Sequence, residues 1–262
     1  MKNALMFILL MAVLSAGCDL IDGDNGSKKR VVNSIEIIGI MEEDAYMQYE
    51  FQYDKKNRVT DIIVFNSGNE QQHAVFSHSK NSISMIDMYD DDYRVEWQLN
   101  SKGLVNQKIV TTDGDEYFTH YFYGTDGMLK SKNYEWTEES IFNRENGNVV
   151  SATLQSDNEE YYRCFYTYTS YLDKSNLDIM AILVGTFAEY PCEIPELDKT
   201  VFKSLGNRNL PQTCNQVVYY NEELRYDDNW EYRYVFDSDG YLTKVKMYRD
   251  DEYFADIQIS YK

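Results

Sequence analysis

Proline is nearly missing from this chain of 262 residues: there are three, all between Pro191 and Pro211, and only 13 glycines. Collagen-like and proline-rich linker architectures are thereby excluded. Histidine is as rare, with His73, His78 and His120. His73 and His78 are five apart in an extended stretch, so they face opposite sides of a strand and do not form a zinc site. Basic residues are outnumbered, 25 Lys and Arg against 44 Asp and Glu, for a net charge of −19. A field of that sign repels phosphate backbones, so nucleic acid is not expected as a partner. The chain also lacks Gly-x-Ser-x-Gly, a phosphate loop and Gly-x-Gly-x-x-Gly. Carboxylates are plentiful, but no one pair stands out for glycoside hydrolysis. The expectation is a protein that is not an enzyme and needs no cofactor.

What is present begins with an address. Met1-Lys2-Asn3 precedes an apolar run from Ala4 to Leu14, then Ser15-Ala16-Gly17-Cys18. The run is too short for a permanent membrane span. It resembles a bacterial lipoprotein signal, fitting at Ala16, Gly17 and Cys18 and departing at Ser15, where leucine is usual. The resemblance implies a signal peptide over residues 1–17. It further implies a mature chain starting at a Cys18 that carries diacylglycerol and an amide-linked acyl chain of the palmitate type. Several acyl chains on one residue hold firmly, at about 0.8 kcal/mol per buried methylene. Residues 18–30 read as a lipidated flexible tether. Its length from Asp19 to Arg30 reaches on the order of 40 Å when extended. Asp19, Asp22 and Asp24 follow the cysteine as in surface-displayed Bacteroidetes-type lipoproteins. An enterobacterial rule reads the same acids as inner-membrane retention.

Tyrosine dominates the aromatics, with 24 Tyr against 12 Phe and 3 Trp. It suits half-buried pleated surfaces, because the ring packs while the hydroxyl stays polar. Its placement is periodic. Tyr49, Phe51 and Tyr53 alternate with polar residues, turn at Asp54-Lys55-Lys56-Asn57, and return through Val59, Ile63 and Phe65. Val95, Trp97 and Leu99 turn at Ser101-Lys102-Gly103. Tyr117 to Tyr123 turns at Thr125-Asp126-Gly127. The clearest copy is Tyr232 to Val245, turning through Asp237-Ser238-Asp239-Gly240. Asn57, Asn81, Gly103, Gly127 and Gly147 mark turns about 20 to 24 residues apart, the length of a two-strand repeat. Other turns are read at Asn66-Ser67-Gly68-Asn69, Asp113-Gly114-Asp115 and Asp227-Asp228-Asn229. Strict alternation means one buried and one wet face. Residues 31–262 are therefore expected to form one all-β domain, an antiparallel hairpin-repeat meander curving into an open or closed barrel-like sheet.

One stretch departs from this pattern. Ser175-Asn176-Leu177-Asp178 looks like a capped helix start, and Leu177, Met180, Ala181, Val184 and Ala188 keep helical spacing. The expectation is one buried helix in the C-terminal third, packed on the concave face of the sheet. From Glu189 to Gln216 the chain reads as an irregular loop, with Cys192 and Cys214 near its two ends. If cysteines pair outside the cytoplasm, Cys192–Cys214 is the candidate disulfide, and Cys164 is a core thiol.

Two motifs carry a wider resemblance. Tyr53-Asp54-Lys55-Lys56-Asn57-Arg58-Val59 is similar to the tyrosine-aspartate repeat of RHS-type surface proteins, and Phe236 to Leu242 is a second partial match. Taken in order, the lipobox, the hairpin array, the apolar stretch Leu177 to Gly185, Asn209-Leu210-Pro211 and the terminal hairpin resemble a Bacteroidetes lipoprotein family. That family is a domain of unknown function with a porin-like fold. The resemblance implies a curved or barrel-like sheet and no particular activity.

Two loops look like calcium loops at first sight, Asp113 to Glu116 and Asp237 to Gly240. Neither has the spaced ligands or the closing glutamate, so no metal site is expected. The functional expectation is an outer-membrane lipoprotein displayed at the cell surface, acting as a non-catalytic binding or interaction module. Its partners would be the membrane, through the lipid at Cys18, and a glycan or envelope-protein ligand. The alternative is a periplasm-facing structural or assembly factor of the envelope. A transmembrane barrel is disfavoured, because the strands are short and charged and the chain ends in Lys262 where an aromatic residue is usual.

Overall fold

A computed structural model describes residues 30–39, 46–135, 138–156, 159–177, 207–220 and 223–262. Sixteen strands follow one another in the chain. They are β1 Val32–Ile38, β2 Tyr46–Tyr53, β3 Val59–Asn66, β4 Asn69–His78, β5 Ser82–Asp87, β6 Arg94–Leu99, β7 Val105–Thr112 and β8 Asp115–Tyr123. The second half comprises β9 Leu129–Tyr134, β10 Glu138–Glu145, β11 Asn148–Ser156, β12 Glu159–Leu172, β13 Asn209–Tyr220, β14 Glu223–Phe236, β15 Leu242–Arg249 and β16 Glu252–Tyr261. Every strand pairs antiparallel with its neighbours in sequence, and β1 pairs with β16 to close the barrel. The seam aligns Ile35 with Ile259 and Ile37 with Ile257. The barrel thus closes within Val31–Lys262, without any earlier residue.

The architecture decides between the open and closed alternatives and corrects the sequence reading in three places. The sheet is a closed all-β barrel, not an open or undecided one, and no helix occurs among the described residues. The expected helix is not present among the described residues. Its described start, Ser175 to Leu177, is bend and bridge, and Ser175 Oγ donates to the Leu177 carbonyl instead of capping a helical turn. Residues 178–206, including Met180, Ala181, Val184 and Ala188, lie outside the described residues. The irregular loop is shorter than expected, because Asn209 to Gln216 belong to β13. Finally, Asp227-Asp228-Asn229 is not a turn but the middle of β14. Asp228 is buried there, held by Arg249 Nη2 at 2.9 and 2.8 Å. An ion pair across β14 and β15 allows a carboxylate where the sequence pattern read a turn.

The two kinds of turn are unevenly divided between the barrel ends, with one two-residue turn, Asn146-Gly147, on the same side as the longer ones. Asn57, Gly103, Gly127 and Gly240 adopt positive φ of 59, 76, 78 and 77°. Each donates its N–H to the carbonyl three residues earlier, on Asp54, Asn100, Gly124 and Asp237. These tight turns lie at the end where β1 begins, here called the proximal end. Two-residue turns at Ser67-Gly68, Asp113-Gly114 and Asp250-Asp251, with both residues at positive φ, lie at the distal end. This is the mirror-type hairpin turn that matches strand twist.

Burial follows the alternation. Ile35, Ile37, Ile62, Ile83, Trp97 and Ile257 are all fully buried and point inward. Their sequence neighbours Glu36, Asp61 and Glu96 lie on the outer wall, as do Arg163, Glu231 and Lys244, which flank the buried Cys164, Tyr232 and Val245. The interior is a mainly apolar core, and the exterior carries most of the charge along with scattered exposed apolar side chains such as Ile86, Phe122, Phe165 and Val235. A membrane-spanning barrel needs the reverse, an outward apolar band about 25 Å tall. Among the described residues no helix is long and apolar enough to cross a membrane.

Candidate functional site: the proximal mouth

A repeated hydrogen bond organises the proximal end. Near the end of a strand running toward it, an inward side chain donates to the main-chain carbonyl of a residue near the start of an outgoing strand. Tyr53 Oη donates to Val32 O at 2.6 Å, His78 Nε2 to Val59 O at 2.7 Å and Tyr123 Oη to Val105 O at 2.7 Å. Tyr168 Oη donates to Val149 O at 2.6 Å, Tyr261 Oη to Leu242 O at 2.9 Å, and Tyr234 Oη to Pro211 O. Each acceptor sits at a register shift of its ladder. A bulge interrupts regular pairing, and the aromatic hydroxyl or imidazole supplies a donor there.

The described ends of the connection from β12 to β13, residues 173–177 and 207–208, are held at this mouth. Ser175, Asn176, Leu177 and Asn207 are buried. Asn176 Oδ1 accepts the Val32 N–H at 2.8 Å, and its Nδ2 donates to Tyr53 Oη at 3.2 Å. Asn207 Oδ1 accepts from Val149 N at 2.7 Å and from Tyr168 Oη at 3.1 Å. Asn148 Oδ1 accepts the N–H groups of Arg208 and Asn209. Lys174 Nζ donates to Asp239 O at 3.2 Å, and a Cβ at Gly240 would lie 3.0 Å from that ammonium. Three buried asparagines thus stand in for main-chain partners, as buried polar groups require.

The sequence-predicted site residues are scattered. Cys18 and Cys192 lie outside the described residues. Cys214 is buried in β13, and its thiol is hydrogen-bonded to Cys164 on β12. That bond lowers the Cys164 thiol from its usual value and raises Cys214. Gln216 and Trp230 continue this inward patch, with Trp230 Nε1 donating to Gln216 Oε1 at 3.1 Å. His73 is on the outer wall, 3.2 Å from Asp61. The Asp237 loop is a turn whose Oδ1 accepts the N–H groups of Asp239 and Tyr241. Among the described residues no group of three His, Cys, Asp or Glu is placed to hold a metal. On the outer wall, Thr213, Asn215, Asn229, Glu231, Asp250 and Asp251 line a shallow cleft of about 430 Å³. The sequence reading missed the asparagine contacts and the cleft, because both join residues far apart in the chain.

Two solved structures share this fold. A porin-like protein from Bacteroides uniformis superposes with a TM-score of 0.65 at 12% identity, covering 88% of this chain and 98% of its own. A porin-like protein from Bacteroides vulgatus gives 0.60 at 12% identity, covering 89% and 99%. No protein-family model and no curated protein matches the chain. The chain has a porin-like barrel fold, as the resemblance implied.

Proposed function

We propose that the protein is an envelope barrel, lipid-anchored through Cys18 at the outer membrane, that works as a non-catalytic binding or interaction module and not as a pore. The carrying observation is its polarity: a porin-like wall encloses a mainly apolar core and turns most of its charged residues outward, with buried Lys108 and the Asp228–Arg249 pair among the exceptions in the described residues. Such a wall cannot face lipid tails, and a core this apolar offers no aqueous channel for ions. The likeness to porin-like proteins supports an envelope location. Attachment then falls to the chain before Val31, where the lipobox resemblance supplies an anchor. Ligands meet the outer wall, and the Thr213–Asp251 cleft offers amide, hydroxyl and carboxylate groups suited to a glycan or an envelope protein.

Metabolic labelling with a palmitate analogue tests the anchor. The wild type takes up label and fractionates with membranes, whereas Cys18→Ala does neither. Label on Cys18→Ala would refute this attachment. Protease added to intact cells then separates surface display, where the protein is cleaved, from the periplasm-facing assembly role, where it is protected. Planar-bilayer recordings are expected to show no channel steps.

A further inference from the structure

The barrel is electrically polar along its axis. Because every strand pairs antiparallel with the next, successive connections alternate between the two ends. Among the described connecting residues at the proximal end, nine are basic and five acidic. Lys55, Lys56, Lys80, Lys102, Lys174 and Arg208 are all exposed there. Two of the five acids are occupied locally: Asp54 by Arg58, and Asp237 by its own turn. The described distal connections hold seven acids and no base, among them Asp90, Asp91, Asp92, Asp113, Asp250 and Asp251. Among its described connecting residues, a protein of net charge −19 therefore carries a basic excess at one end only.

We propose that this proximal rim docks on the anionic phosphate headgroups of a membrane, setting the barrel upright with its acidic end outward. The proposal rests on the anchored reading above and adds an orientation to it. Val31 lies at this same end, where its N–H and carbonyl pair with Lys262. Twelve residues, Asp19 to Arg30, separate it from Cys18. A tether anchored there delivers the basic rim to the bilayer first. The acidic end does not cancel the attraction. Strands of about eight residues at 3.3 Å each put the rims on the order of 25 Å apart. Salt screens charge within about 8 Å at physiological strength, so a surface at the proximal end senses the lysines and not the distal aspartates.

The test uses the barrel unit, residues 31–262, which carries neither the lipid site nor the apolar leader. Its sedimentation is measured with vesicles of phosphatidylcholine alone and of equal parts phosphatidylcholine and phosphatidylglycerol. Binding is expected only to the second, and added salt should weaken it. A Lys near an anionic surface contributes about fivefold in binding. The combined Lys55→Glu, Lys56→Glu, Lys80→Glu and Lys102→Glu variant should lose roughly a hundredfold or more on that scale, with unchanged circular dichroism. Equal partition to both vesicles, or undiminished binding by the folded variant, would overturn the proposal and leave an acidic protein as the rim's partner. Palmitate labelling of Cys18 reads the anchor separately, so failure of one reading does not imply failure of the other.

Discussion

The hydroxyl of Tyr53 donates to the carbonyl of Val32 at 2.6 Å, twenty-one residues back along the chain. Tyr53 is also the tyrosine of the Tyr-Asp motif, and Val32 is a residue of the closing strand. The motif therefore has two jobs. Its aspartate shapes the turn, with Asp54 Oδ1 accepting the N–H groups of Lys56 and Arg58. Its tyrosine bonds back to an earlier strand, at a place where the ladder shifts register.

Replacing such a tyrosine with phenylalanine keeps the ring and removes the donor. Leaving a buried carbonyl without its partner costs about 1–3 kcal/mol. Tyr123→Phe and Tyr168→Phe should each lower the unfolding free energy by an amount in that range, read as a lower denaturation midpoint with the m-value unchanged. Tyr253→Phe, on an exposed ring, is expected to do almost nothing. Equal effects at all three positions would mean that the hydroxyl-to-carbonyl bonds do not stabilise the mouth.

The sequence pattern revealed the strands because alternation and turn chemistry are local. Asn57, Gly103, Gly127 and Gly147 stand out in the sequence because only residues tolerant of positive φ fit there. Closure was not legible, since the match of Ile35 with Ile259 depends on all fourteen intervening strands. Nor were the mouth contacts. Asn176 meets Val32 across 144 positions, and no local rule separates that asparagine from one in an exposed loop. Asp228 misled for the same reason. Its partner Arg249 is twenty-one residues away, so a buried ion pair looked like turn polarity.

Asn176 offers a second measurement. It accepts the N–H of Val32, a residue with no exposed surface. Asn176→Ala leaves that donor buried, and should cost about 1–3 kcal/mol. Asn33→Ala, one residue along the same strand but exposed, should stay within about 0.5 kcal/mol of wild type. Amide exchange at Val32 sharpens the test: it should quicken in Asn176→Ala and not in Asn33→Ala. Unchanged exchange would show that the connection is not pinned by this bond.

The thiols of Cys164 and Cys214 give a chemical test. They sit diagonally across β12 and β13, where Cys164 faces Gln216 and Tyr166 faces Cys214. Pairing Cys214 with Cys192 would first have to break this contact. Both thiols are buried, so a bulky maleimide should label neither in the folded barrel and both after denaturation. A small disulfide reagent should reach Cys164 first, because its bond from Cys214 favours the thiolate there. Peptide mapping of unreduced protein is expected to show a 164–214 link or two free thiols. A 192–214 link would refute this assignment.

Alkaline pH should unfold the barrel through its inward tyrosines. Burial holds Tyr166, Tyr232 and Tyr234 well above the ordinary tyrosine value of 10.0, and Tyr49 is pushed up to about 12. Below pH 10 these hydroxyls are neutral in both folded and unfolded chains, so they place no pH dependence on stability. Above it the unfolded chain releases protons that the folded chain retains. Stability then falls as pH rises, by about 1.4 kcal/mol per pH unit for each proton withheld. The loss from Tyr49 is complete only above pH 12, its folded value. Absorbance at the phenolate band should therefore rise in two steps: a gradual one from rings that titrate while the barrel is folded, then a cooperative one that coincides with loss of β circular dichroism. A single smooth titration of all 24 tyrosines, complete before any loss of structure, would mean that the inward hydroxyls are open to water and that the barrel interior is not the dry core described above.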